Sequence, residues 1–399
     1  MKILVLDGDQ NQAVACVRSL AAQGHEVWVG ESRPWSKAGW SRYCGRSFQY
    51  ASPTTDPERF LNDVLAAAGN VAGTLVLPMT EASTLLISEH RERFASAGAR
   101  FVLPDHAGLM RAVDKSQTTA LAQSLGIAVP KTISASSEEQ IRQASAQLRF
   151  PVVLKPKSSQ ERSTQGAMRA TGRPRYAKNA NELTEAFDQI RQGCSSVIVQ
   201  EFVEGTGTGY FALMNHGELR AEFAHRRIRD VHPTGSGSAL RESILPDPQI
   251  REASLAMLKA LHWHGVAMIE FRLREDGVPV FLEVNGRFWH SLPLPCYAGV
   301  DFPALLARMA EFGDVKPPAS YRVGLKCRWL VGDFRHLVEV WKGPPAGFPG
   351  KFPGRISTLL AELTPAPGTF HDNFMMKDPL PELGDWIRLV QQVWERKSQ

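Results

Sequence analysis

Apolar and polar positions follow two different periods along the first hundred residues. Short apolar runs, KILVLD from Lys2, EVWVG from Glu26, GTLVLP from Gly73 and RFVLP from Arg100, read as strands. Between them QAVACVRSLAAQG, DPERFLNDVLAAAG and the Glu81 to Phe94 segment place apolar residues at helical spacing. Strands alternating with helices predict a doubly wound α/β sheet. From about Ala112 the rhythm changes to helices mixed with antiparallel strands. Ser136 and Glu139 are spaced for a capping box that opens a helix running to about Leu148, and Pro151 opens the strand PVVLK. Val197 begins a second unit with the apolar strand VIVQEFV. After Pro317 and Pro318 the pattern loosens, and GPPAGFPGKFPG, Gly343 to Gly354, is too rich in Pro and Gly for a helix or central strand. The terminal DWIRLVQQVWERK reads as a helix. These breaks predict four parts: 1–111, 112–196, 197–320 and 321–399.

The segment VAMIEFRLREDGVPVFLEVNGRF carries its own pairing instruction. Asp276-Gly277 is a favoured two-residue hairpin turn between runs of period 2. With those two residues as the loop, Glu275 pairs with Val278, and Glu270 falls directly opposite Glu283. Glu283, Asn285 and Arg287 then share one strand face, while Ile269, Phe271 and Leu273 share the other with Val280, Leu282 and Val284. Facing carboxylates ~5 Å apart repel by roughly 3 kcal/mol at an effective dielectric of ~20. Two readings follow. On a solvated face, water and Arg272 or Arg274 relieve the repulsion. Otherwise a cation sits between the acids, and two carboxylates with an amide oxygen suit a hard ion such as Mg²⁺ whose remaining positions go to water and phosphate oxygens.

Composition narrows the class. The chain has 399 residues, 43% hydrophobic and 22% charged, with a net charge of +5 spread without a dense basic tract, so neither nucleic acid nor membrane is an expected partner. Five scattered cysteines without CxxC spacing, and no uncharged apolar run of ~18 residues, predict a reduced, cytoplasmic protein. A dinucleotide site is disfavoured. The loop after the first strand reads DGDQNQA with only Gly8 in register for GxGxxG, although Glu31 superficially resembles a ribose-binding acid.

Upstream of the hairpin lie the groups a phosphate would need. Lys155 ends VVLKP and leads into KSSQERSTQGAMRA, a hydroxyl-rich loop with Gly166, and Lys115 begins a helix in AVDKSQTTALAQSLGI, where the terminal dipole favours anions. VIVQEFVEG follows. This order, Lys115 in DK, Lys155 in VVLKP with its loop, QEFVEG, then IEF and LEVNGR, resembles the ATP-grasp superfamily of carboxylate-amine and related ligases, over roughly Arg111 to Val300.

The resemblance implies a Rossmann-like α/β pre-ATP-grasp domain (1–111), a small (112–196) and a large (197–320) α+β subdomain, and a C-terminal extension (321–399). It implies that ATP lies between the subdomains, with Lys115 and Lys155 on its phosphates and main-chain groups of Glu201 and Val203 on its base. Glu270, Glu283 and Asn285 would hold Mg²⁺ or Mn²⁺, and Arg287 would face the reacting phosphoryl and carboxylate oxygens. The chain departs from the pattern in three places. The loop after Lys155 lacks a glycine cluster. TGTG stands where a ribose-binding acid often follows, leaving Glu204 as the substitute. The stretch His225 to Ser243 is family-specific, and its Arg241 is read either as a strand-face residue or as a clamp for an acyl phosphate. The implied reaction is ATP-dependent joining of a small-molecule carboxylate to an amine through an acyl phosphate, with ADP and phosphate released. A carboxylate kinase without an amine acceptor and a non-catalytic ATP sensor are the alternatives, and a homodimer is left open. His290, after Trp289, is a residue for substrate contact or for the amine proton. Substrate identity should lie near Gly8, Thr80-Glu81, the Arg-rich segment His225 to Ser243 and the residues after Arg287.

Overall fold

The computed structural model describes residues 1–69, 71–157, 160–162, 168–170, 174–191, 194, 196–364 and 366–397. Its first sheet consists of β1 (Lys2–Val5), β2 (Glu26–Glu31), β3 (Arg46–Gln49) and β4 (Leu75–Leu77), all parallel in the order β3-β2-β1-β4. Successive residues of β1 enter different cores, Ile3 and Val5 on one face, Leu4 and Leu6 on the other. A sheet covered on both faces is why its strands read as continuous apolar runs. RFVLP contributes only a bridge from Arg100 to Leu75. The Glu81 to Phe94 segment breaks at His90 into helices Glu81–Glu89 and Arg91–Ser96, the first capped by Thr80 and Ser83.

The second sheet is antiparallel, in the order β5-β10-β6-β9, from β5 (Thr132–Ala135), β6 (Val152–Pro156), β9 (Arg175–Ala177) and β10 (Val197–Glu201). A separate pair, β7 (Gln160–Arg162) and β8 (Met168–Ala170), lies between β6 and β9 in the chain. Ser158, Ser159 and Gly166 of the hydroxyl-rich loop lie outside the described residues. Helices Glu138–Gln147 and Ala180–Ile190 cover this sheet through Ile141, Ala144, Leu183 and Phe187. The expected Ser136/Glu139 capping box is displaced by one residue. Ser137 caps the helix by accepting from the Gln140 amide, and the Gln140 side chain reaches back to the Ser136 N–H at 2.7 Å.

Seven strands form the third sheet: β11 (Thr206–Asn215), β12 (Glu218–Arg229), β13 (Leu240–Ile244), β14 (Gly265–Leu273), β15 (Pro279–Asn285), β16 (Lys326–Arg328) and β17 (Phe370–His371), in the order β15-β14-β11-β12-β13-β16-β17. Along β11, Phe211 and Leu213 point into the core shared with the first domain, while Tyr210, Ala212 and Met214 point into a second core with Met257, Trp263 and Phe281. The segment after Tyr321, set apart in the sequence as an appendage, supplies β16 and the edge strand β17, followed or flanked by helices Leu330–Lys342, Arg355–Leu363 and Leu380–Lys397. Among the described residues no helix is long and apolar enough to cross a membrane.

The β14–β15 hairpin reaches the expected acid pair by a different route. Its loop has three residues, Glu275 to Gly277, closed by Arg274 N–H donating to the Val278 carbonyl, with Gly277 at φ 81°. That is the type I turn with a left-handed glycine rather than a two-residue turn. It pairs Phe271 with Phe281, and a bulge between Phe271 and Glu270 then restores Glu270 opposite Glu283. The bulge also corrects the predicted apolar face. Phe281, packed edge to face against Phe271 at 5.9 Å, takes the core position expected for Leu282, and Leu282 turns beside Glu283. Just beyond, Gly286 is wedged: a Cβ there would stand 2.7 Å from Leu109 Cδ1 and 2.8 Å from the Trp263 ring. Gly286→Ala should therefore cost about 1–3 kcal/mol by overpacking, read as a lower urea midpoint.

Candidate active site

A cavity of about 820 Å³ lies between the second and third sheets. That is within the roughly 300–1,000 Å³ range usual for small-molecule sites. Lys115 enters it from the first turn of helix Lys115–Ser124, which Asp114 caps by accepting from the Ser116 and Gln117 amides. Lys155 enters from β6 and donates to Gln200 Oε1 at 3.0 Å. Burial, then the neighbouring Lys115, lower the Lys155 ammonium to about pH 8 against the opposing pull of Glu283 and Glu270.

The facing acids share the cavity with these lysines, and each already has a cation. Arg227 Nη2 lies 2.7 Å from Glu270 Oε2, and Lys115 Nζ lies 3.6 Å from Glu283 Oε2. Asn285 donates to Glu283 Oε1 at 3.2 Å. Burial by itself would raise the Glu283 carboxyl. Lys115, Lys155, the Asn285 amide and Arg227 outweigh it and hold the group below its ordinary value. Arg227 reaches Glu270 across Gly207, where a Cβ would come within 2.9 Å of the arginine Cδ, so one glycine of TGTG clears its path. Arg272 braces the rim by donating to the Gly205 carbonyl at 2.8 Å and the Gly235 carbonyl at 2.7 Å. Among the described residues no group of three or more His, Cys, Asp or Glu side chains surrounds a single point. Two carboxylates and an amide oxygen are a partial set of hard donors, which fits a divalent ion completed by water and phosphate oxygens.

A family model described as ATP-grasp in the biosynthetic pathway with Ter operon matches residues 194–332, the stretch that contains β11 to β15 and both acids. That stretch is similar to the ATP-grasp superfamily. The chain is 25% identical over 241 residues to the vancomycin/teicoplanin A-type resistance protein VanA of Enterococcus faecium, covering 54% of this chain and 66% of that one. It is 27% identical over 222 residues to the D-alanine–D-alanine ligase of Nitrosospira multiformis, covering 51% of this chain and 68% of the relative. The biotin carboxylase of Campylobacter jejuni shares the fold at a TM-score of 0.64, with 16% identity over 82% of this chain and 74% of that one.

Against the ATP-grasp pattern, most of the residues picked out in the sequence come together. Lys115, Lys155, Glu201, Val203, Glu270 and Glu283 all line the one cavity. The Glu201 carboxylate accepts from the Arg149 amide at 2.9 Å, and its N–H donates to the Lys131 carbonyl at 3.0 Å. Glu204 is exposed and lines a smaller recess with Arg274 to Asp276 instead. Arg241 departs furthest from expectation. It is fully buried and ion-paired with Asp372, so its charge is already neutralised, and the His232 to Ser236 turn lines the cavity in its stead. His290 lies beside Asp372 too, with Nδ1 3.9 Å from Oδ2 and its ring 4.3 Å from that of Trp329.

Two residues were not assigned a role from the sequence. Arg227 looked like one of several strand-face arginines, and only the tertiary pairing of β12 with β11 brings it to Glu270. Glu81, at the start of its helix, is raised by burial while Arg287 and Lys115 lower it and Glu283 raises it further. Its Oε1 is buried without a hydrogen-bond partner. The flag placed on Thr80-Glu81 was the available signal, because a capped helix start aimed out of a parallel sheet is where α/β folds bind ligands.

Two outcomes follow from this geometry. Glu283→Gln should leave the thermal transition nearly unchanged yet reduce ADP formation by about 10²-fold or more, the loss expected when a charge used for electrostatic stabilisation is removed. Because Lys155 loses its proton as pH rises through about 8, the KM for ATP should climb above that pH, and Lys155→Arg should flatten the rise in initial-rate profiles.

Proposed function

We propose that this protein is an ADP-forming carboxylate–amine ligase of the cytoplasm. The observation that carries the reading is the register of Glu270 opposite Glu283 in a cavity that also receives Lys115 and Lys155. The names of the relatives, which include D-alanine–D-alanine ligases, support amide-forming chemistry without fixing this chain's substrates.

In this reading Lys115 and Lys155 bind the ATP phosphates, and the main chain of Glu201 and Val203 holds adenine. Glu270, Glu283 and Asn285 hold Mg²⁺ or Mn²⁺, which when bound neutralises charge on the transferring phosphoryl group. Arg227 and Lys115 hold the two acids in the cavity. A substrate carboxylate oxygen attacks the γ-phosphorus, the bond to the β–γ bridging oxygen breaks, and ADP leaves. The amine nitrogen then attacks the acyl carbon, phosphate departs with the bond electrons, and the nitrogen sheds a proton. Chemistry of this type rests on positioning and charge neutralisation, and needs no side-chain nucleophile. Arg287 stabilises the phosphoryl and carboxylate oxygens.

A matrix of small carboxylates crossed with amines, read by ADP release and product mass, tests the proposal. The expected result is ADP formation that requires both partners and yields their condensation product. Equal ADP release without any amine, with hydroxylamine trapping a hydroxamate, would make the protein a carboxylate kinase. Stabilisation by ATP without ADP from any combination would make it a sensor.

A further inference from the structure

The nucleotide cavity has a wall that the two subdomains do not supply. Glu339 and Lys342, at the end of helix Leu330–Lys342, line it together with Pro344, Pro345 and Phe352 of the Pro/Gly stretch that follows. This stretch lies across the small subdomain and the Glu201 to Val203 segment. Phe348 packs edge to face on Tyr176 at 5.0 Å and on Phe202 at 5.8 Å, and Phe352 continues the cluster at 6.2 Å from Phe348. Its backbone is seated closely. Gly347 has φ 72°, and a Cβ there would stand 2.5 Å from the Tyr176 carbonyl oxygen. The composition that excludes regular structure is what lets the chain lie flat against Tyr176.

Within that wall stands an acid. The Glu339 side chain is 29% exposed, borders the cavity, and accepts from Lys342 Nζ at 3.0 Å. Of the two acids flanking Phe202–Val203, Glu204 opens into the smaller recess, and the Glu201 carboxylate is engaged by the Arg149 amide at 2.9 Å. A half-buried carboxylate, paired with Lys342 and set beside Pro344, Pro345 and Phe352, suits hydroxyl donors, to which an ionised carboxylate gives charge-assisted bonds.

We propose that the segment Glu339 to Phe352 is a third wall of the nucleotide site and that the Glu339 carboxylate accepts the ribose hydroxyls of ATP. This rests on the ATP reading above and deepens it. The assignment makes the C-terminal part of the chain a determinant of nucleotide affinity, with Lys342 holding the acid in place and Phe352 closing apolar surface beside it.

The test uses the full chain and two probes, ATP and 2′,3′-dideoxy-ATP, each with Mg²⁺, titrated by calorimetry into wild type, Glu339→Ala and Phe352→Ala, with thermal transitions as the folding control. Loss of a charge-assisted bond predicts that Glu339→Ala weakens ATP about tenfold or more, while its affinity for the dideoxy analogue stays within about twofold of wild type. Phe352→Ala, which removes apolar contact only, should weaken both nucleotides alike. Equal losses for both probes in Glu339→Ala, or none for either, would overturn the ribose assignment. Unchanged affinity in Phe352→Ala would overturn the wall. If wild type binds neither probe, the ATP reading itself fails, and that result is distinct from binding that the variants leave untouched.

Discussion

Two carboxylates forced together across one antiparallel pair set the requirements for everything around them. Glu270 and Glu283 face each other because the hydrophobic residues on the opposite face of the hairpin must reach the core. Their repulsion, roughly 3 kcal/mol at an effective dielectric of ~20, has to be met by positive charge. In the structure it is met by Arg227 on one acid and Lys115 on the other, with Lys155 close behind. Each of these cations comes from a different part of the fold. Arg227 depends on a glycine in the neighbouring strand, Lys115 on a capped helix start, and Lys155 on a strand of the other subdomain.

Holding that arrangement requires the large sheet to be covered on both faces. Phe211, Phe223 and Met268 join a core with Ile3, Val14 and Phe302, which fixes the first domain against the sheet, while Tyr210, Phe271 and Phe281 join Met257 and Trp263 on the far side. Polar links then tie the first domain to the C-terminal segment. Arg18 with Asp378, Lys37 with Asp385, and Arg388 with Asp9 lie at 2.7 to 2.8 Å, and all three are largely shielded from water. Buried pairs of this kind contribute little net stability because desolvation offsets their attraction, yet breaking one strands a charge. Their role here is to define one docking geometry, in which the C-terminal segment returns over the cavity it helps to line.

Much of the site was legible one residue at a time. Lys115 at a helix start, Lys155 at a strand end and the Glu270–Glu283 pairing all follow from local pattern, and all fall in one cavity. The pairing survived even though the turn was misread, because an extra loop residue and a bulge shift the register in opposite directions. Leu282 and Phe281 show the limit of that reasoning. Period 2 assigns faces correctly only where the ladder is regular, and nothing in FLEVN signals a bulge.

By itself the sequence determined the succession of α/β and antiparallel units, the identity of the acids and lysines, and the chemistry they can support, because these depend on contacts between near neighbours in the chain. Only the tertiary structure decided that Arg227 approaches the acids while Arg241 is buried against Asp372, that Glu81 is brought to Arg287, and that residues past Tyr321 complete a sheet and line the cavity. Those outcomes rest on which side chains are buried and which distant segments pack together, and such choices minimise the energy of the whole core. No window of residues contains that information.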